Sequence, residues 1–260
     1  MKLMHGDCIE LMNEIKDKSI DMILCDLPYG ITKCEWDIPI SLDSLWKQYK
    51  RIIKDNGAIV LFSAQPFTTD LIESNRKMFR YEIIWKKTTP SGFLNAKKMP
   101  MRIHENILVF YKKAPTYNPQ MRKSEKHDTI GRTRYNSGNA SQYNEFRKDN
   151  YEYTETGYRY PIDVIEFSNW NGISFGKKVG NNGTITKHPT QKPVDLLEWL
   201  IKTYTNEGEI VLDNCMGSGT TGIACMRTKR QFIGIELHKC YYDASLERIK
   251  KQKELLEVKE

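Results

Sequence analysis

Asp26-Leu27-Pro28-Tyr29-Gly30 closes the apolar run Ile20-Asp21-Met22-Ile23-Leu24-Cys25, so a carboxylate and an aromatic ring arrive together where a buried strand would open into a loop. In open α/β sheets, ligands gather beyond the carboxyl ends of the strands. A carboxylate there accepts a hydrogen bond from an exocyclic amine, the Pro28 carbonyl accepts a second N–H, and the Tyr29 ring offers a stacking face. The group suits a flat ring that bears an amine. Taken alone, the pentapeptide also reads as an Asp-x-Pro turn after a strand.

A second landmark lies far downstream. Gly208 to Asp213 reads as a short buried strand, followed by Asn214-Cys215-Met216-Gly217-Ser218-Gly219-Thr220-Thr221-Gly222 and a helical stretch through Arg230. Gln231 to Glu236 reads as the next strand. Gly217, Gly219 and Gly222 satisfy the G-x-G-x-x-G pattern, and Glu236 follows Gly217 by 19 residues, the spacing at which an acidic side chain holds a ribose. Absent side chains let the backbone approach a ligand, and a helix N-terminus offers free N–H groups. A nucleoside-bearing cofactor is the expectation.

A nicotinamide dinucleotide would fit the same pattern, but its binding half normally begins with the Gly-rich turn and adds several strands afterwards. Only 24 residues follow Glu236, rich in Lys and Glu, and they read as one solvent-facing helix. The sheet must therefore be completed by earlier strands, around 20–25, 57–62, 81–85 and 103–111, in a circularly permuted order.

With His188-Pro189-Thr190-Gln191-Lys192-Pro193 between them, these two motifs resemble the S-adenosylmethionine-dependent DNA amino-methyltransferases, the N6-adenine/N4-cytosine DNA methylases. The order is that of their beta group: catalytic motif, target-recognition region, cofactor loop. The resemblance covers roughly residues 1–111 and 186–250. It implies an α/β, Rossmann-like methyltransferase sheet with a catalytic half at 1–111, a target-recognition insertion at 112–187 and a cofactor-binding half at 188–260.

The resemblance also assigns roles. Asp26 and the Pro28 carbonyl accept from the target amine, and Tyr29 stacks on the extruded base. Asp213, Gly217, Ser218, Gly219 and Thr220 surround the amino-acid end of S-adenosylmethionine. Glu236 holds its ribose, Asp7 in Gly6-Asp7-Cys8 meets its adenine amine with Cys8 beside it, and Lys192 belongs to a segment closing over the methionine end. Leu27 stands where the family usually has a second proline, and Asn214-Cys215 stand for its usual Pro-Phe.

The residue types fit the chemistry. An exocyclic amine is a poor nucleophile because its lone pair is delocalised into the ring, and fixed acceptors on both N–H groups favour a tetrahedral nitrogen that can attack a sulfonium methyl. None of the ten prolines precedes a cysteine, so the Pro-Cys nucleophile of cytosine C5 methylation is missing. The target lies inside a duplex and must be extruded. Aspartate at the head of the tetrapeptide favours adenine N6 in the family; cytosine N4 is the alternative, and a catalytically silent DNA-binding module is the alternative of another class. The partners this admits are double-stranded DNA, a second copy of the chain and a cognate restriction endonuclease.

Residues 112–187 carry 13 Lys/Arg against 8 Asp/Glu, most of the chain's formal charge of +7, together with seven of the 14 tyrosines. Basic side chains neutralise phosphates and aromatic ones stack. The six cysteines form no C-x-x-C pair and no zinc spacing with the histidines, so reduced thiols are expected. Position 108 is Leu, so His104-Glu105 does not begin H-E-x-x-H. Neither a signal peptide nor an 18-residue apolar run occurs, which places the chain in the cytoplasm without a membrane partner.

Other elements must position these groups. Leu42, Leu45, Trp46, Tyr49, Ile52 and Ile53 predict an amphipathic helix over 41–54, stopped by Asn56-Gly57 before a strand at 58–62. Pro193 opens a helix to about Tyr204 with Leu196, Leu197, Leu200 and Ile201 on one side. Residues 91–100, with Gly92 and Lys97-Lys98, read as a mobile loop after strand 81–85 that either closes over DNA or is merely exposed and basic.

Overall fold

The computed structural model describes residues 1–30, 38–124, 131, 133–136, 151–154, 156–169 and 191–257. Cys34, His188, Pro189, Thr190 and much of the expected target-recognition stretch lie outside the described residues. The strands are β1 (Lys2–His5), β2 (Ile20–Asp26), β3 (Ile53–Ser63), β4 (Phe79–Ser91), β5 (Arg102–Phe110), β6 (Arg122–Lys123), β7 (Thr133–Asn136), β8 (Tyr151–Thr154), β9 (Tyr158–Arg159), β10 (Val164–Phe167), β11 (Ile210–Asp213) and β12 (Gln231–Glu236).

In β2, Ile23 and Cys25 face one core while Met22 and Leu24 face another; β3 likewise divides Ile59 and Leu61 from Ala58, Val60 and Phe62. Both faces of the sheet are covered, which is why these strands read as unbroken apolar runs. The first core is closed by α1 (Cys8–Leu11), α2 (Leu42–Ile52) and α3 (Phe67–Ser74), through residues such as Leu45, Tyr49 and Leu71. The second is closed by α4 (Val194–Tyr204) and α5 (Thr220–Arg227), through Leu196, Leu200, Ile201 and Ala224. The last helix, α6 (Lys239–Glu257), buries only Ser245 and Ile249.

Among the described residues one sheet holds eight strands in the order β1-β12-β11-β2-β3-β5-β4-β10. All neighbours are parallel except that β5 runs antiparallel to both β3 and β4. The C-terminal strands β11 and β12 thus sit between β1 and β2, and the permuted order inferred from the motifs is the order of the sheet.

Three local readings are corrected. Helix α2 does not stop at Asn56-Gly57: Ile53 is already extended (φ −70°, ψ 139°), and residues 54–57 lie within β3 at a register irregularity between Ile20↔Ile53 and Met22↔Ala58. The strand expected at 81–85 runs from Phe79 to Ser91 because β5 continues to pair with it. Val164–Phe167, inside the stretch assigned to the insertion, pairs with Ile84–Lys87 as the edge strand of the main sheet, fixed by Trp85 Nε1 donating to the Phe167 carbonyl at 3.0 Å. Asn118 also belongs to the main body, its Nδ2 donating to the Lys202 and Thr205 carbonyls at 3.1 Å at the end of α4.

Pro119–Ile162 form a second compact unit. Its described strands pair antiparallel, β6 with β9 and β7 with β8.

Candidate active site

Parallel strands put their carboxyl ends on one edge, so β2, β11 and β12 deliver Asp26, Asp213 and Glu236 side by side, and β1 leads there into Gly6-Asp7-Cys8. All of these groups line one cavity of about 1080 Å³, counting its open mouth. Lys192, Met216, Gly217, Ser218 and Thr220 line it as well, whereas Gly219 forms the turn behind it.

The acidic strand ends are held before any ligand arrives. Asp7 caps α1, with Oδ1 accepting from the Ile9 and Glu10 N–H groups at 2.7 and 3.1 Å. Asp213 accepts from the Cys215 N–H at 3.1 Å and from the Thr221 hydroxyl at 2.6 Å. Burial pushes its carboxyl up to about 7, against the pull of those hydrogen bonds. Glu236 accepts from the Gly217 N–H at 2.9 Å and the His238 N–H at 2.8 Å, and burial raises its carboxyl despite both. Preformed acceptors of this kind lose little freedom on binding.

Between them the glycine turn is forced by space. Gly219 sits at φ +77°, and a Cβ there would lie 3.0 Å from Ser245 Cβ; a Cβ on Gly234 would lie 2.3 Å from Met216 Sδ. Arg248 from α6 fixes the turn from outside, donating to the Ser218 carbonyl at 2.7 Å and its hydroxyl at 2.6 Å. Asn214, standing for the usual proline of the resembled family, is buried with Tyr49 Oη donating to its Oδ1 at 2.5 Å and its amide pointing at the thiols of Cys8 and Cys215. Leu27 is likewise buried in the first core.

Asp26 has a different setting. Tyr29 Oη donates to Oδ1 at 2.8 Å, and Lys192 Nζ donates to Oδ2 at 2.5 Å. Lys192 also lies 3.3 Å from Glu105 Oε2, and Glu105 Oε1 is 2.5 Å from Lys87. Two carboxylates and two ammonium groups thus alternate beneath the cavity, with Phe62 and Trp85 rings under the two lysines. Burial alone would discharge Lys192, but Asp26 and Glu105 outweigh it and raise its pKa. Burial would likewise raise Glu105, and the two lysines reverse the sign, holding it ionised.

The Tyr29 ring does not line the cavity; it stacks on Phe67 with ring centroids 5.0 Å apart. Burial, then the charge of Asp26, raises its hydroxyl well above the usual range, so it stays a donor. Lys87, Glu105, Arg248 and His238 were missed by the sequence reading. His238 is a cavity-lining residue whose buried Nε2 has no hydrogen-bond partner among the described residues, an orphaned atom that a ligand hydroxyl would satisfy. Its only sequence signal is its place two residues after Glu236. Lys87 and Glu105 look like ordinary strand charges until the sheet pairs Trp85 with Glu105.

No group of His, Cys, Asp and Glu that could hold a metal ion occurs among the described residues, and no described helix is long and apolar enough to cross a membrane. The described cysteines are free thiols.

A permuted, mostly parallel sheet with acidic strand ends around a glycine turn defines a Rossmann-like methyltransferase. Solved structures share it: the M1.HpyAVI–SAM complex superposes with a TM-score of 0.61 at 24% identity, covering 95% of this chain and 98% of that one. The PvuII DNA methyltransferase (cytosine-N4-specific) gives 0.65 at 18% identity, covering 96% and 90%. The sequence profile of a DNA methylase family, N6/N4, matches residues 20–247, and the chain belongs to that family. Among its relatives, the type II methyltransferase M2.DpnII of Streptococcus pneumoniae is 28% identical over 98% of this chain and 91% of its own length. The DNA adenine methyltransferase YhdJ of Escherichia coli (strain K12) is 27% identical over 95% and 82%.

Proposed function

We propose that this chain is a site-specific methyltransferase that moves a methyl group from S-adenosylmethionine to the exocyclic N6 amine of an adenine in double-stranded DNA. The observation that carries the reading is the arrival of Asp26 at the same cavity as Asp213 and Glu236. When bound, S-adenosylmethionine supplies an electrophilic methyl group. Glu236 and His238 suit its ribose, Asp7 and Cys8 its adenine, and Asp213 with the 217–220 turn its amino-acid end.

Asp26 and the Pro28 carbonyl accept the two N–H groups of the target amine and localise the nitrogen lone pair. Tyr29 orients Asp26 through its hydroxyl; its ring, packed on Phe67 outside the cavity lining, would have to turn to stack on an extruded base. Lys192 aims Asp26 by donating to its Oδ2. The leading aspartate and the name of the Escherichia coli relative both support adenine.

In this reading the target-recognition region lies within residues 112–187, apart from the main-sheet strand Val164–Phe167, between a catalytic half at 1–111 and a cofactor half at 188–260. The 13 Lys/Arg against 8 Asp/Glu of this stretch and its seven tyrosines support it, because basic side chains neutralise phosphates and aromatic ones stack. A second copy of the chain and a cognate restriction endonuclease are further partners of the reading.

Tritium transfer from labelled S-adenosylmethionine into plasmid DNA, followed by nucleoside analysis, tests it. N6-methyladenine is expected; N4-methylcytosine would reassign the base, and no incorporation would reject the activity.

A further inference from the structure

Strands β4 and β5 run on past the sheet that supports them. β3 ends at Ser63, paired with Asn106, yet the β4–β5 ladder continues through Trp85↔Glu105 and Lys86↔His104 to Ser91↔Arg102. Since Phe62 pairs in parallel with Asp26, the hairpin leaves the sheet at the same carboxyl edge that carries Asp26, Asp213 and Glu236. Four extended residues beyond Asn106 reach roughly 13 Å past that edge.

The tip is a hydrogen-bonded turn with apolar side chains. Gly92 (φ +91°) starts a turn closed by Asn95 N–H to the Gly92 carbonyl at 2.9 Å and Met99 N–H to the Asn95 carbonyl at 3.0 Å. Phe93 is 80% and Leu94 96% exposed. No acidic residue occurs from 83 to 104, whereas Lys86, Lys87, Lys97, Lys98 and Arg102 do. Lys97, Lys98 and Arg102 make no ion pair among the described residues. Lys86 and Lys87 are matched by Glu166 and Glu105, so the apolar point is flanked by Lys97, Lys98 and Arg102; it would repel a second copy of itself and fits a polyanion with an apolar interior.

We propose that the Phe93-Leu94 tip enters the base stack of duplex DNA beside the extruded nucleotide, while Lys97, Lys98 and Arg102 hold the flanking phosphates. This rests on the DNA methyltransferase reading. Extruding a base opens a gap and costs stacking, and an apolar side chain that fills the gap offsets that cost. The tip thus serves extrusion, separate from the acceptors that serve the methyl transfer.

The experiment uses the full chain and the sequence that the wild type methylates in plasmid DNA, rebuilt as an oligonucleotide duplex. A wild type that methylates no DNA would defeat the function reading itself. With an active wild type, the exposed double variant Phe93→Ala/Leu94→Ala is expected to lose roughly 10- to 100-fold in kcat/KM on the duplex, the worth of one stacked contact. It should recover to within a few-fold of wild type when the target faces an abasic site, with unchanged affinity for S-adenosylmethionine. Lys97→Ala/Lys98→Ala should lower the salt slope of DNA binding by about two units. An unchanged rate on the duplex, an equal loss on both substrates, or a loss that tracks conversion of a dimer to monomer in sedimentation would overturn the proposal, the last by assigning the tip to a second copy.

Discussion

Lys192 Nζ lies 2.5 Å from Asp26 Oδ2, although 166 residues separate them in the chain. The ammonium is also 3.3 Å from Glu105, so it is shared between the carboxylate proposed to meet the target and one that balances charge. Asp26 is therefore a prepared acceptor: Lys192 fixes one oxygen and Tyr29 the other.

Asp26→Ala should lower methyl transfer on the order of 100-fold or more, the usual loss for one preorganised group. Affinity for S-adenosylmethionine should stay within a few-fold in calorimetry, because Asp26 is assigned to the amine. A rate close to wild type would remove Asp26 from the reaction.

Glu105→Gln should destabilise the fold by about 3–5 kcal/mol, since Lys87 and Lys192 would face each other without the carboxylate between them. Adding Lys87→Met should restore part of the loss in urea unfolding. If the single variant unfolds at the wild-type midpoint, the buried alternation of charges has no structural weight.

Glu236→Ala should weaken S-adenosylmethionine binding by roughly 1.5–3 kcal/mol, the worth of a hydrogen bond to a charged acceptor. It also frees the Gly217 and His238 N–H groups, so His238→Ala is the milder companion and should weaken binding less. Unchanged affinity in both variants would displace the ribose from this strand end.

Asp213 gives a pH dependence of stability. Its folded carboxyl stands near 7, above about 4 in an unfolded chain, so the folded state holds the proton more tightly. The stability this contributes is complete below about pH 4 and is lost as pH rises through about 7, at most on the order of 4 kcal/mol. Asp213→Asn should flatten the fall in thermal midpoint of the ligand-free protein between pH 5 and 8. A wild-type midpoint that rises relative to the variant over that range would reverse the sign and the assignment.

The sequence by itself determined the candidate catalytic and cofactor motifs, their permuted order and the elements that bear them. Each is written locally: Asp26 and Asp213 end apolar runs, Gly217 and Gly219 mark a turn at positive φ, and Ser41 and Pro193 open helices α2 and α4 where they stand. What only the tertiary structure decided is contact between distant residues. Lys192 reads as part of a cofactor segment, yet the cavity brings it onto Asp26; Glu105 and Lys87 read as surface charges, yet β4 and β5 place them behind Asp26. Asn56-Gly57 looks like a helix stop, but pairing of β3 with β2 draws it into the strand. Strand Val164–Phe167 escapes notice because four residues carry too little periodicity, and its place comes from hydrogen bonds to β4 that no local pattern encodes.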